Sequence, residues 1–481
     1  MSEALTFNAI FSDGHFEKET LGALINKGGA AGKIYACVQH PEMVAKIFHD
    51  RSKSRTNRQK LEAMLQNKPN IPPIVFEGKT YVQIAWPEAV LEDDEGFCVG
   101  YLMPFINTDE AVSLDHLMQK AVRKKQNLSE SYEKRLNAAF NVTAMVAALH
   151  QCGHYIVDLK PANVSVYKDN MAVAMYDCDG FSIKGLNDRY PAEYVSEEYI
   201  YPEGMNQTPE EMGEEQDKFA LAVILFKLLN NGIHPFAGSP RKKNKTMLDI
   251  QTRIEQYHYP YGIWPDTYQD PNPYSMHTYF DQTTLKMFDR AFVRNGDRPS
   301  AKEWYAHLEY LFKIIKPCEK NPDHFYFTSK GCGLCAVEEK FQYQLKNLQK
   351  EKIEAQKIRG LAPSELTTEK AQALKREKRR EFVRLNKLAL MLTIAHFALW
   401  GAVPLMLYRL RDILTVRGYF IQIFVWLIVL KTVFVILDGA KKYLPLFQNI
   451  VLVNMLKIYA LINAVAAFLL VNESCLKFLL K

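Results

Sequence analysis

The chain has 481 residues, 48% of them hydrophobic and 24% charged, which excludes a disordered tail and a collagen-like fibre and leaves room for two or three domains of ~100–200 residues. Its 8 cysteines are too few for a disulfide scaffold. The net charge of +6 is uneven: residues 340–387 carry 14 Lys/Arg against 6 Asp/Glu and residues 388–481 carry 9 against 3, so residues 1–339 carry −8, which does not suit a nucleic-acid binder driven by bulk charge.

Residues 1–19 hold Asp13, His15, Glu17, Lys18 and Glu19 without the apolar run of a signal peptide, and read as an N-terminal extension. Residues 20–317 mix short apolar runs with helical patterns and look globular. A glycine-rich run, Lys27-Gly28-Gly29-Ala30-Ala31-Gly32-Lys33-Ile34, opens them; small residues there let backbone N–H groups approach phosphates. Val44-Ala45-Lys46-Ile47 follows in a strand-like run, and Glu62 is the only acid between Asp50 and Glu77. Ile84-Ala85-Trp86-Pro87 and Gly100-Tyr101-Leu102-Met103-Pro104-Phe105 are further apolar runs.

Asp158-Leu-Lys-Pro-Ala-Asn163 is the most informative stretch. An Asp, a Lys two residues on and an Asn five residues on resemble the catalytic loop of protein kinases, which implies that Asp158 would orient the attacking hydroxyl and accept its proton, Lys160 would neutralise the migrating group and Asn163 would hold Mg²⁺. Asp177, 14 residues past Asn163 and after a strand-like Met171–Tyr176, fits a second metal-holding acid. Tyr201-Pro202-Glu203, Asp217 at the head of an apolar helix, and Gly296-Asp297-Arg298-Pro299 complete the series.

In this order the motifs resemble those of eukaryotic-type protein kinases. The resemblance implies an α+β, two-lobed fold with an N-lobe at 20–106 and a C-lobe at 107–317. It implies ATP under Gly28, Gly29 and Gly32, with Lys27 standing where a first glycine is usual. Lys46 would hold the α- and β-phosphates and pair with Glu62. Met103 and Phe105 would contact adenine through their backbone, Asn163 and Asp177 would hold Mg²⁺, Asp217 would brace the catalytic loop, and Arg298 would pair with Glu203. Ile156-Val157 replaces His-Arg before Asp158, which removes the usual partner of a phosphorylated activation segment, and Asp179 stands where Gly is usual. Lys160-Pro161-Ala162 resembles Ser/Thr rather than Tyr kinases. Together with the trailing Cys/His cluster, residues 20–340 resemble the bacterial subgroup described as helix-hairpin-helix proteins with a kinase domain. Helix-hairpin-helix repeats are not evident here, so no nucleic-acid partner is expected.

Cys318, His324, Cys332 and Cys335 give C-x5-H-x7-C-x2-C, four soft ligands suited to a tetrahedral structural Zn²⁺, with a redox pair as the alternative reading of the C-x2-C. Residues 318–336 are read as this zinc module and 337–387 as a basic helical linker rich in strong helix formers. Residues 388–481 are read as a membrane region, with a buried helical hairpin in a soluble domain as the alternative. Leu388–Tyr408 has no formal charge, Gly418–Leu437 only Lys431 and Leu446–Val471 only Lys457; each is long enough for a ~30 Å hydrocarbon layer. Two or three spans are expected. Lys375–Lys387 argues for a kinase domain facing the cytoplasm, although Arg409, Arg411 and Arg417 make both flanks of the first span positive.

The chain is thus expected to be a multi-pass, membrane-anchored Ser/Thr kinase acting on a protein substrate. A nucleotide-binding pseudokinase scaffold is the alternative, and a pore lined by Lys431 and Lys457 a third reading.

Overall fold

The computed structural model describes residues 5–26, 31–241 and 247–360. Its first lobe is built from strands β1 (Thr6–Phe11), β2 (Phe16–Asn26), β3 (Gly32–Cys37) and β4 (Met43–Phe48), helix α1 (Ser54–Gln66), the hairpin β5 (Ile74–Phe76) and β6 (Lys79–Tyr81), and strands β7 (Ala89–Glu92) and β8 (Cys98–Pro104). Six strands close into an antiparallel barrel in the order β1-β2-β3-β4-β8-β7. Closure is made by β1, which pairs Phe7 with Glu19 on one side and Ala9 with Leu91 on the other. The segment read as an N-terminal extension therefore supplies one barrel strand and part of another. The signal is local: Phe7, Ala9 and Phe11 alternate with polar or partly exposed neighbours, the period of a half-buried strand.

The same alternation aims the site residues. Ala45 is enclosed in the barrel with Ala9, Ala89, Leu91 and Leu102, whereas Val44 and Lys46, on the opposite face of β4, look into the cleft. Strand β4 is flanked closely on both sides. A Cβ on Gly100 would lie 2.0 Å from the Lys46 carbonyl oxygen, and one on Gly32 would lie 2.5 Å from that of Ile47. Gly32 is thus required by the approach of two strands, a reason independent of any ligand.

The second lobe begins with β9 (Ala111–Ser113), α2 (Leu114–Met118), α3 (Lys120–Lys125) and α4 (Tyr132–Gln151). Strands β10 (Val164–Tyr167) and β11 (Val173–Met175) join β9 in a three-stranded sheet. Helices α5 (Glu214–Leu229), α6 (Ile250–Glu255), α7 (Gln282–Phe292) and α8 (Ala301–Ile314) follow. The core lies where α5 is buried from Phe219 to Phe226; Phe226 meets Phe288 and Tyr261 with ring centroids 5.0 and 5.1 Å apart. Helix α8 starts with a capping box between Ser300 and Glu303.

Past Pro317, the pair Lys316–Pro317 is hydrogen-bonded to Phe325–Tyr326, and α9 (Gly333–Gly360) follows. Residues 1–350 group as one compact unit. The rest of the predicted linker and the three apolar segments at 388–471 lie outside the described residues. Among the described residues, no helix is long and apolar enough to cross a membrane.

Candidate active site

The loop before β10 is held from below by one carboxylate. Asp217, fully buried at the start of α5, accepts the Ile156 N–H and the Val157 N–H at 2.7 Å each and lies 2.9 Å from His150 Nε2. These bonds restrain a strained residue: Val157 has a φ of 63°, a left-handed conformation that β-branched side chains avoid. Gln216 adds a bond to the Val157 carbonyl at 3.2 Å. The brace expected of Asp217 is present, and it acts on the peptide immediately before Asp158.

Asp158, Lys160 and Asn163 converge. Lys160 Nζ donates to Asp158 Oδ2 at 2.6 Å, and Asn163 Nδ2 to the Asp158 carbonyl at 3.1 Å. The other carboxylate oxygen of Asp158, Oδ1, is buried and has no partner among the described residues. A buried acceptor left without a partner costs free energy. Lys160 also donates to the Ser196 hydroxyl at 2.9 Å, a residue that the sequence reading left without a role. Only the fold reveals it, 36 residues downstream.

Across the cleft, Lys46 is 4% exposed. Its Nζ donates to Asp179 Oδ1 at 2.7 Å and to Asp177 Oδ1 at 3.1 Å. Burial alone would push this ammonium down; the carboxylates of Asp179 and Asp177 outweigh it and hold the pKa above the ordinary lysine value. Asp177 has a φ of 53°, again left-handed, at the head of the turn Cys178–Gly180.

The expected Lys46–Glu62 pair is not formed. Glu62 accepts from Arg58 Nε at 2.8 Å, one helical turn back, and Arg58 pairs in turn with Glu92. Helix rotation is the reason. Asn57, Lys60 and Leu61 line the cleft, and Glu62 stands about 100° round from Leu61 and about 200° round from Lys60. Sequence elimination found the only acid on the helix, but not the face on which it lies.

Between the lobes is a cavity of about 990 Å³ lined by Gly32, Val44, Lys46, Met103, Ile106, Asp158, Asn163 and Asp177, among others. Gly28 and Gly29 lie outside the described residues. Met103 faces the cavity from β8 opposite Val44. Phe105 also lines it, but its N–H is taken by the Glu42 carbonyl at 2.9 Å because the ladder with β4 runs one residue further. That donor is not available to an adenine ring, so a backbone contact from Phe105 would come from its carbonyl.

The family described as protein kinase domain matches residues 27–310, more than half of the chain. The chain belongs to the eukaryotic-type protein kinase family. It is 26% identical over 336 residues to "Protein kinase YegI" of Escherichia coli strain K12, a match that covers 67% of this chain and 49% of that protein. The same name and identity recur in Escherichia coli O157:H7, over 66% of this chain. The kinase spans about half the length of these curated relatives.

Membership implies ATP and Mg²⁺, and the donor set fits them. Asp177 and Asn163 offer hard oxygen ligands to the cavity, Lys46 adds a cation beside Asp177, and Asp158 lines the same cavity. When bound, Mg²⁺ would neutralise the charge of the transferred phosphoryl group.

Lys60 is a cleft cation to which the sequence assigns no role. Lys60 donates to the Pro191 carbonyl at 3.1 Å, and burial pushes its ammonium down to about 8 despite the pull of Asp179 and Glu193, with Lys46 and Lys53 opposing protonation further. Near pH 8 it is half-protonated, and as pH falls below that it adds a cation to the cleft. Mg·ATP affinity measured by calorimetry is therefore expected to weaken as pH rises from roughly 7 to 9, and Lys60→Met to remove that dependence.

In the second lobe, Arg298 pairs with Glu203 at 2.6 Å, as expected, and reaches Glu215 at 3.5 Å. The Cys/His cluster also assembles. The ligand atoms of Cys318, His324, Cys332 and Cys335 all lie within 4.8 Å of one another. Cys318 Sγ to Cys335 Sγ is 3.5 Å, His324 Nδ1 to Cys335 Sγ 3.3 Å, and Cys332 Sγ to His324 Nδ1 3.7 Å. A tetrahedron with bonds of ~2.3 Å to sulfur and ~2.0 Å to nitrogen sets ligand separations of about 3.5–3.8 Å. His324 Nε2 lies 3.2 Å from the Asn321 amide and 3.6 Å from Glu338 Oε1, groups that orient the ring.

Proposed function

We propose that this kinase transfers the γ-phosphate of ATP to Ser or Thr hydroxyls of a protein substrate, from a domain anchored to a membrane and facing the cytoplasm. One observation carries the reading: Asp158, its side chain 19% exposed and bonded to Lys160, lines a cleft that also holds Lys46, Asn163 and Asp177. Asp158 would take the hydroxyl proton as the oxygen attacks, and Lys160, fixed by Ser196, would meet the charge of the migrating group. The Lys160-Pro161-Ala162 run supports Ser/Thr over Tyr acceptors. The apolar segments at 388–471 support membrane attachment. The ligand separations at Cys318, His324, Cys332 and Cys335 support a structural Zn²⁺ in preference to a redox pair.

Asp158→Ala is expected to lower autophosphorylation with γ-labelled ATP by about 10²–10⁴-fold while Mg·ATP binding survives. Retained transfer would remove Asp158 from its role.

The second reading, a nucleotide-binding scaffold, is favoured by the engagement of Asp177, a metal-holding acid, with Lys46. Thermal stabilisation by Mg·ATP without turnover in the wild-type chain would decide for it.

A further inference from the structure

Lys46 can hold phosphates only if something holds Lys46. A buried lysine on a four-carbon stem needs a fixed carboxylate to define its position and to offset the loss of water. Helix α1 offers none: Glu62 is its only acid and is engaged with Arg58, while the cleft-facing positions carry Asn57, Lys60 and Leu61. The two carboxylates that do reach Lys46 differ in kind. The Asp177 side chain is 64% exposed and opens into the cavity, so it is free to turn to a metal ion. The Asp179 side chain is 12% exposed, and its Oδ1 accepts a second bond, at 2.8 Å, from the hydroxyl of fully buried Tyr101 on β8.

We propose that Asp179 is the positioning residue for Lys46 during phosphotransfer, in the part expected of Glu62. The proposal rests on the phosphotransfer reading above. Asp179 is anchored from behind by Tyr101 and in front by Lys46, so it remains in place when Asp177 is drawn away by a cation. Tyr101 and Lys46 both donate to the same oxygen of Asp179, at 2.8 and 2.7 Å, whereas Asp177 receives the longer bond of 3.1 Å from Lys46. The grip on the phosphates is therefore made between β4, β8 and the turn after β11. Helix α1 contributes a cation, Lys60, which lines the cleft and donates to the Pro191 carbonyl. A displacement of α1 would leave Lys46 where it is. The residue at 179, which departs from the glycine usual at that position, is then the substitution that allows the helix to dispense with a facing acid.

The test uses the full chain with Asp179→Asn, Asp179→Glu and Glu62→Gln. The asparagine is isosteric and keeps an oxygen for Tyr101, so folding is preserved, and thermal unfolding checks it. One readout is the titration of Lys46 in ¹³C-methylated protein, assigned with Lys46→Arg; the other is kcat and the KM for ATP in autophosphorylation. In Asp179→Asn the Lys46 pKa is expected to fall by about one unit or more. In the same variant kcat is expected to fall about 10²-fold, with the KM for ATP changed less than about 5-fold. Asp179→Glu is expected to restore at least about a tenth of kcat, and Glu62→Gln to leave both readouts within about 2-fold of wild type. A Lys46 titration moved by Glu62→Gln and not by Asp179→Asn would overturn the proposal, as would an unchanged kcat in Asp179→Asn. If the wild-type chain does not transfer phosphate, the phosphotransfer reading fails, and the Lys46 titration alone still decides which carboxylate holds it.

Discussion

Replacing Asp217 with alanine is expected to cost about 3–5 kcal/mol of stability and to abolish phosphotransfer in whatever fraction stays folded. The side chain is fully buried and accepts two backbone N–H groups at 2.7 Å, those of Ile156 and Val157, besides lying 2.9 Å from His150. Each buried N–H left without an acceptor costs about 1–3 kcal/mol. The second loss is conformational. Val157, at a φ of 63°, is held in a left-handed conformation worth about 1–3 kcal/mol of strain, which persists only while its surroundings enforce it. Once released, Val157 relaxes toward the extended region and re-aims the next residue, Asp158. Asp217→Asn keeps the volume but turns an N–H₂ toward one of the two donors, so an intermediate loss of about 2 kcal/mol is expected. Urea denaturation gives the stability and γ-phosphate transfer at low temperature the activity. An Asp217→Ala chain as stable and as active as wild type within about 2-fold would show that the loop needs no brace.

What the sequence disclosed and what it withheld divide along physical lines. Asp158, Lys160 and Asn163 lie within six positions, so local chain geometry nearly dictates their convergence, and the hairpin β10–β11 returns the chain to Asp177. Asp217 and Arg298 were legible because buried charges need partners and their motifs name those partners. The identity of the carboxylate facing Lys46 was not legible in that way. It depends on the rotation of α1 about its axis, which is fixed by the burial of Leu61, Ala63 and Met64 and by the Trp86 indole donating to the Met64 carbonyl at 3.0 Å. A single acid on a helix therefore says nothing about its direction. Ser196 and Lys60 were invisible for a related reason: each acts through a contact made by the fold, with Lys160 and with the Pro191 carbonyl. The closure of the barrel by Thr6–Phe11 was readable in principle from its alternation, but charged neighbours in β2 masked it, and their Glu19 turns out to be fully buried with its carboxylate accepting the Val38 and Gln39 N–H groups.

Elemental analysis of the native chain is expected to find about one Zn per molecule, and Cys332→Ser to lose it. Three thiols and an imidazole with their ligand atoms within 4.8 Å of one another make an electrostatically poor arrangement once the thiols ionise, unless a cation sits among them. They are also not a disulfide in waiting, since the nearest sulfur pair given by the structure, Cys318 and Cys335 at 3.5 Å, is well outside the ~2.05 Å of a bond and all the cysteines concerned are free. The module has little apolar surface of its own and leans on the second lobe. The Asp323 carbonyl accepts the Tyr132 N–H at 2.9 Å, Phe327 meets the Tyr132 ring at 5.7 Å, and Thr328 and Lys330 reach the carbonyls of Tyr279 and Thr278. Without the metal those contacts must order residues 318–335 alone, and the conformational entropy of such a segment, about 1–2 kcal/mol per residue, exceeds them. Loss of zinc is thus expected to release the segment, to expose Tyr132 at the start of α4 and to lower the melting temperature by several degrees, by about 4 °C or more. Hydrogen exchange would find the amides of residues 318–335 unprotected in Cys332→Ser and protected in the native chain. Phosphotransfer per folded molecule should stay within a few-fold, because none of Lys46, Asp158, Lys160, Asn163 or Asp177 bonds to the module. Unchanged metal content in Cys332→Ser, or protection that survives chelation, would mean that the four ligands meet for another reason.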